Sequence, residues 1–432
     1  MKTELEAVSS VKKRLKVEVP SDLVTQARAQ AVSELGKKAK VEGFRPGHIP
    51  PQIIEKKFGH ELQQMTIEKV VDQTLGLAFE QAKLRPISKP EINPGMWSAV
   101  GNFSYTATFE VLPEMTLKDY KGLKLEKTEV KVESKEIEEE LKRLQATMTQ
   151  LEPTPTETAL AIGHVAIIDF KGLADGKRFQ GGEAKDYVIE MGTGNMLADF
   201  EAGLKGAKAG EKKELRFEYP KDYFNKELAG KEAKFDVTVK QIRKKNVPEL
   251  NDDFAKDLGN YKNLNEVRDD VNKQIATTKE NQQKGELYNQ ILKQLVDQNK
   301  FDLPESLVQS ELAYMLNDIA QEMKRRGQKV EDLNVEEAIK ELKPDAEFRV
   351  RSFLVLDQVA EDAKLEVTEQ EMENRLAAIA KGLKKPPAEI KAYYEKNKMV
   401  GSLQTRILHE KALEFVLNEA KIKVVKPKKE KK

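Results

Sequence analysis

One short stretch of this chain concentrates residue types that could recognise a partner. In Gly43-Phe44-Arg45-Pro46-Gly47-His48-Ile49-Pro50-Pro51, glycines flank an apolar ring and a planar cation. Glycine admits tight turns that other residues resist, so the segment can present Phe44 and Arg45 together on an exposed tip. A guanidinium binds phosphate through its fork of N–H donors and an aromatic ring fills a pocket, a pairing suited to RNA–protein surfaces. The bland reading of the same residues is an ordinary helix–helix connection with Phe44 tucked into the core. Spacing alone favours that bland reading.

Reactive chemistry is otherwise sparse. The 432 residues include no cysteine, which removes disulfides, thiol nucleophiles and thiolate metal sites and fits a reducing compartment. His48, His60, His164 and His409 are scattered along the chain and suggest no metal cluster. A Gly-x4-Gly-Lys-Ser/Thr loop, a Gly-x-Ser-x-Gly elbow and a His-Glu-x-x-His helix are all missing, and Gly192-Thr193-Gly194 lacks the third glycine of a dinucleotide fingerprint. Nucleotide-driven or hydrolytic work is poorly supported, and no cofactor is expected. The 74 Lys+Arg and 73 Asp+Glu give a net charge of +1, a solvated surface of both signs rather than a nucleic-acid-binding excess. With no apolar leader at the N-terminus and no run near the roughly 20 apolar residues of a membrane span, the expectation is a soluble, cytoplasmic chain that does not engage a membrane. Its length predicts roughly three domains.

The elements that must position the loop can be read from periodicity. Leu15, Val17 and Val19 alternate with charges as a half-buried strand, and Val24, Ala27, Ala31 and Leu35 recur at helical spacing after Ser21, a candidate cap. Beyond the loop, Ile53, Ile54, Phe58, Leu62, Met65, Val70 and Leu75 predict one second helix. Phe103, Tyr105, Ala107, Phe109 and Val111 alternate strictly as a strand closed by Pro113. This part holds 16 Lys+Arg and 13 Asp+Glu over residues 1–112, a mild basic lean. A charged connector follows, with Leu123 and Leu125 strand-like and Ile137, Leu141 and Leu144 helical. Residues 160–243 turn glycine-rich, with β-runs around residues 164–170 and at Phe235, Val237, Val239 and Ile242. A short helix at residues 199–204 fits between them, giving a small antiparallel sheet wrapped on one helix. After Pro248 the pattern is helical: Leu264, Val267, Val271 and Ile275, then Leu287, Ile291 and Leu295. Pro304 marks a further helix start and Thr368 to Glu371 a capping box. The last twelve residues hold seven lysines and one glutamate and are expected to form a disordered basic tail.

Residues 37–50, Lys-Lys-Ala-Lys-Val-Glu-Gly-Phe-Arg-Pro-Gly-His-Ile-Pro, closely resemble the Gly-Phe-Arg-x-Gly-x-x-Pro signature of the trigger factor family of bacterial ribosome-associated chaperones. The resemblance implies that Gly43, Phe44, Arg45, Pro46 and Gly47 dock beside the nascent-chain exit, touching a ribosomal protein and rRNA. Some members carry lysine after the arginine; here Pro46 stands there, and Lys38 or Lys40 are the nearest replacements. A second set is similar in order and spacing to an FKBP-type prolyl isomerase: Ile168-Asp169-Phe170-Lys171-Gly172, Asp175-Gly176-Lys177-Arg178-Phe179, Met191-Gly192, Phe200-Glu201-x-Gly203-Leu204 and Phe235-Asp236-Val237. It implies a pocket of Phe170, Phe179, Tyr187, Met196, Leu197, Phe200, Tyr223 and Phe235. Many such domains have aspartate after the second phenylalanine and tryptophan at the helix, whereas this chain has Gln180 and Phe200. Simple filling of a small β-core accounts for some of these aromatics. Val247-Pro248-Glu249-Leu250-Asn251-Asp252-Asp253-Phe254 looks like the family's junction after the isomerase.

The resemblance implies a multidomain α+β architecture: an N-terminal docking domain over 1–113, a connector over 114–150, an FKBP-like antiparallel sheet around a short helix over 151–246, a helical C-terminal domain with arms over 247–425, and a basic tail over 426–432. The implied function is ATP-independent shielding of nascent polypeptides at the ribosome, with prolyl isomerase activity and self-association off the ribosome. Flexible Met315, Met323, Met372 and Met399 are candidate client contacts, although internal packing is the better reading of any single one. The rival is a free-standing FKBP-type isomerase with helical targeting arms.

Overall fold

The computed structural model describes residues 1–42, 44, 48–97, 101–179, 181–194, 196–223, 225–226 and 228–425. It divides into two compact units, Met1–Thr128 with Gln283–Lys432, and Glu129–Gln282.

The first unit begins with an antiparallel sheet in the order β1-β2-β4-β3, from β1 (Lys2–Ala7), β2 (Lys12–Val19), β3 (Glu91–Trp97) and β4 (Phe103–Glu110). The alternation read from the sequence is the packing. Leu15, Val17 and Val19 pair with Ala107, Tyr105 and Phe103, and all six are fully buried. Each fully buried large apolar side chain contributes about 1.5–3 kcal/mol. Helices α1 (Ser21–Lys38) and α3 (Gly59–Gln81) cover that face with Val24, Ala27, Val70 and Ala78. Polar groups inside α3 are satisfied locally. Thr66 and Thr74 donate to Leu62 O and Val70 O at 2.6 Å, and the Thr74 and Tyr105 hydroxyls lie 2.9 Å apart.

Two local expectations are corrected here. Ser21 is the first residue of α1, not its cap; the cap position is Pro20 and makes no side-chain bond. Asn102 Oδ1 instead accepts from Ser21 N at 3.0 Å, so a residue distant in sequence serves the helix start. The single second helix is broken into α2 (Pro51–Lys57) and α3, because Phe58 leaves helical geometry at φ −124° and ψ 31° before Gly59.

The rest of the unit is helical. It comprises the later residues of α7 (Leu264–Gln298), then α8 (Glu305–Arg325), α9 (Val335–Asp362), α10 (Glu369–Leu383), α11 (Pro387–Lys396) and α12 (Val400–Asn418). Leu287, Ile291 and Leu295 meet Val355, Val359, Ala412 and Val416 in one core, while Val308, Leu312 and Met315 meet Ala346, Val350 and Leu354 in another. The Thr368 capping box forms as read: Glu371 N donates to Thr368 Oγ1 at 3.3 Å, and Thr368 N donates to Glu371 Oε2 at 2.8 Å. The tail expectation changes. Lys421–Val425 is a strand, β11, paired in parallel with β5 (Lys124–Thr128), while residues 426–432 lie outside the described residues. Ile422 and Val424 alternate with lysines, a pattern that pairing can use.

The second unit starts with α4 (Ser134–Thr147), whose Leu141 packs with Ala255 of α6 (Asp252–Leu258) and with Val267 and Val271 of α7. Its sheet is antiparallel, ordered β6-β10-β7-β8 from β6 (Gln150–Pro153), β7 (His164–Ala174), β8 (Glu183–Glu190) and β10 (Glu232–Asn246), with β9 (Lys212–Glu218) also paired to β10. Helix α5 (Ala198–Leu204) presses Phe200 and Leu204 into the sheet. Gly206, at φ +83°, follows its end and donates to Leu160 O at 2.8 Å.

Candidate functional site

In the second unit, three buried rings from three different elements form the centre of an aromatic cluster. Phe170 comes from β7, Phe200 from α5 and Phe235 from β10. Their centroids are 6.2 Å (Phe170–Phe200), 5.9 Å (Phe170–Phe235) and 5.4 Å (Phe200–Phe235) apart, with steep interplanar angles. Edge-to-face packing of this kind suits the ring quadrupoles. Backbone approach is part of the design: a Cβ on Gly172 would fall 2.3 Å from Phe235 Cε1, so only glycine fits beside that ring. Phe179 lies 6.1 Å from Phe235, and Tyr187 lies 5.6 Å from Phe170 with 41% of its surface exposed. Met196, Leu197 and Tyr223 are partly buried against the same cluster. The eight residues named for the pocket therefore share one neighbourhood, with Phe200 nearly fully buried and Tyr187 at the rim.

Tyr187 is positioned by an irregularity in the sheet. Register jumps from Ile168↔Tyr187 to Phe170↔Ala184, and Asp186 adopts φ +53°. Asp169 Oδ1 accepts from Asp186 N at 2.8 Å, and Lys240 Nζ reaches Asp186 Oδ1 at 2.7 Å and Asp169 Oδ1 at 2.9 Å. The Lys240 ammonium, then the Asp186 N–H, hold the Asp169 carboxyl below its usual value. Bulges of this kind re-aim the side chains beside them.

Three further residues adjoin this cluster without being among the eight that the sequence names for the pocket. Phe217 stacks on Phe235 at 5.7 Å and 4°, and Tyr219 bridges Phe217 and Tyr223 at 5.6 and 4.7 Å. Burial pushes the Tyr219 hydroxyl up to about 12. The signal was there in the alternation of Leu215 and Phe217 along β9, continued by Tyr219 just past its end. Glu201, one residue past Phe200, accepts from Gly192 N at 2.9 Å and ties down the segment that leads to Met196 and Leu197.

The first unit holds the glycine-flanked loop. Ala39, Val41 and Ile49 are buried with Ile54 and Leu62, so both ends of the loop are anchored in a small core. Phe44 N donates to Val41 O at 3.1 Å, yet its residue surface is 39% exposed. Phe44 is thus held outside the core. Gly43, Arg45, Pro46 and Gly47 lie outside the described residues. Of the nearby cations, Lys38 pairs with Glu34 at 2.7 Å, while Lys40 is exposed. Lys38, followed by Lys69, pulls the Glu34 carboxyl down to about 2. An open cavity of about 530 Å³ lies beside the loop between α1 and α2, lined by Val32, Gly36, Ile49 and Ile54 and flanked by Arg28 and Lys37.

Apolar exposure on the C-terminal helices is aromatic and aliphatic more than methionine-based. Tyr314, Phe353, Leu383 and Tyr393 are 59, 45, 60 and 57% exposed. Met315 is buried, Met323 and Met372 are partly buried, and Met399 is exposed. Among the described residues, no helix is long and apolar enough to cross a membrane.

Comparison with known proteins agrees with this anatomy. Residues 1–144 match the family model described as bacterial trigger factor protein, residues 156–240 that of FKBP-type peptidyl-prolyl cis-trans isomerase, and residues 263–418 that of the bacterial trigger factor C-terminus. The chain is 32% identical to a trigger factor of Geobacter sulfurreducens, over 98% of this chain and 99% of the relative. It is 35% identical to a trigger factor of Halothermothrix orenii, over 96% and 99%. A solved structure titled "Promiscuous Substrate Recognition in Folding and Assembly Activities of the Trigger Factor Chaperone" has the same fold, with a TM-score of 0.56, 20% identity, and coverage of 97% of this chain and 100% of that one. The chain belongs to the trigger factor family of chaperones and carries the family's FKBP-type domain between its N-terminal and C-terminal parts.

Proposed function

We infer that this protein docks on the ribosome beside the nascent-chain exit and shields newly made polypeptides without using nucleotide. Residues 1–113 are the docking part. Phe44 and Arg45 make the contacts to an exit-site ribosomal protein and rRNA, and Gly43, Pro46 and Gly47 shape the loop. The observation that carries this reading is the exposure of Phe44 between the buried anchors Val41 and Ile49. Burying the exposed part of this ring against a partner would be favourable, as removal of apolar surface from water is. Residues 247–425, with the connector 114–150, hold clients through exposed Tyr314, Phe353, Leu383 and Tyr393. Each contact is weak, so a client leaves as the contacts break one at a time and no energy source is needed. The protein works in the cytoplasm and self-associates when off the ribosome.

The cluster around Phe170, Phe200 and Phe235 supports prolyl isomerisation within residues 151–246. Rotation about an X–Pro bond interrupts amide resonance across a barrier of roughly 18–20 kcal/mol. An apolar aromatic floor disfavours the dipolar planar amide relative to the twisted transition state, and Tyr187 at the rim adjoins the bound chain. No nucleophile or proton relay is required.

Co-sedimentation with ribosomes tests the docking assignment. Phe44→Ala with Arg45→Ala should abolish it while leaving the circular dichroism spectrum unchanged, and undiminished co-sedimentation refutes the assignment.

A further inference from the structure

The two-stranded sheet of β5 and β11 is sealed along one edge and open along the other. On the β5 side, glutamines of α7 take the place of a third strand. Gln290 Oε1 accepts from Glu126 N at 2.9 Å and its Nε2 donates to Glu126 O at 2.8 Å. Gln294 Nε2 donates to Lys124 O at 2.9 Å, and Gln283 Nε2 donates to Thr128 O. A side-chain amide offers the donor and acceptor of a peptide unit, so the outward carbonyls of residues 124, 126 and 128 and the N–H of Glu126 are served.

Among the described residues, no such comb serves the β11 side. Lys421 N donates to Leu123 O at 2.8 Å, and the parallel register runs from Lys421↔Lys124 to Val425↔Thr128. The backbone groups of Lys421, Lys423 and Val425 therefore point toward β5, and those of Ile422 and Val424 point away. Among the described residues, no strand pairs with that outer edge. Ile422 and Val424 share the face of buried Leu125 yet are 43 and 63% exposed, while Lys421 and Lys423 share the opposite face with Lys124. The chain continues into Lys426, Lys428 and Lys429.

Such an edge is a template for another strand. We propose that β11 is a strand-addition site for an extended polypeptide segment in which acidic and apolar residues alternate. The main chain of the segment bonds to Ile422 and Val424, its apolar side chains extend the Ile422–Val424 face, and its carboxylates meet Lys421 and Lys423. A second copy of β11 is disfavoured as occupant because it would set lysine against lysine. A nucleic acid would use the lysines but not the outward peptide groups or the exposed aliphatic pair. The proposal rests on the chaperone reading and names one class of client segment.

Fluorescence anisotropy with the full chain and a labelled nine-residue peptide of alternating valine and glutamate tests it. Saturable binding is expected, at least tenfold weaker for the valine–lysine peptide and lost when the valine–glutamate peptide is N-methylated along one edge. Val424→Pro removes an outward N–H and spares the ladder to β5. It should weaken binding at least tenfold, with amide protection at Lys423 and Val425 retained. Lys421→Glu with Lys423→Glu should transfer the preference to the valine–lysine peptide, which separates a local charge match from a general fold defect. Binding indifferent to Val424→Pro or to N-methylation overturns the proposal. So does an absence of peptide binding accompanied by capture of a short single-stranded RNA that Lys421→Glu with Lys423→Glu abolishes. Aggregation suppression by the unaltered protein is scored separately: its failure sinks the chaperone reading, while the peptide results still decide the edge.

Discussion

Truncating Phe235 to alanine probes whether one ring holds the aromatic cluster together. Phe235 is 5% exposed and lies within 5.4–6.1 Å of Phe200, Phe217, Phe170 and Phe179, centroid to centroid. Gly172 sits against the same ring, where an added Cβ would fall 2.3 Å from Phe235 Cε1, and offers no side chain to refill the space. Phe→Ala changes in such cores cost about 3–5 kcal/mol, through lost transfer free energy and the cavity left behind. With a urea slope of about 2 kcal/mol/M for a small domain, the midpoint of the second unit should fall by about 2 M. A chain of two units need not unfold in one step, so two probes are required. Trp97, the only tryptophan, lies in β3 of the first unit, and its fluorescence should keep its midpoint. Isomerase activity in a proline-limited refolding assay should disappear in parallel with the second unit's transition. A shift below about 0.5 M would show that the cluster does not carry the stability assigned to it. Equal movement of the Trp97 transition would show that the two units unfold together and would refute independent unfolding of the second.

Other consequences follow from single contacts. Tyr187→Ala removes a rim residue with 41% exposure, so stability should change by less than about 1 kcal/mol while the isomerase rate falls; an unchanged rate would remove Tyr187 from the site. Glu110, at the end of β4, accepts from Glu305 N at 3.0 Å and Ser306 N at 2.9 Å and so caps α8, whose own cap position is Pro304. Glu110→Ala should cost about 0.5–2 kcal/mol and speed amide exchange at Glu305 and Ser306; unchanged exchange there would deny the cap. Lys411 first, then the Thr368 N–H, pull the Glu371 carboxyl from 4.5 to about 2. A folded value below the unfolded one gives a contribution fully present above about pH 4.5 and lost as pH falls toward 2. Amide exchange at the start of α10 should therefore rise over that window and become pH-independent in Glu371→Gln, once intrinsic exchange rates are divided out.

The sheet strands were legible because one face is dry: Leu15, Val17 and Val19, and Phe103, Tyr105 and Phe109, announce themselves by period two. Pocket residues were legible only through family resemblance, since Phe170, Phe200 and Phe235 are spread over 66 positions and meet through folding. The break at Phe58 was hidden because apolar spacing runs on across it from Ile54 to Leu62. Ser21 looks like a cap because Asn102, which serves the helix start, lies 81 residues away, just before β4. The strand at Lys421–Val425 is hidden in the sequence because its partner, β5, lies nearly 300 residues earlier and the local composition is lysine-rich.

Ribosome docking through Phe44 is the central claim, and site-specific photocrosslinking tests it most directly. With a photoreactive phenylalanine at position 44 and purified ribosomes, docking predicts one dominant adduct to a ribosomal protein beside the exit, suppressed by excess unlabelled protein. Crosslinks confined to the protein's own chain, at full ribosome occupancy, would contradict it.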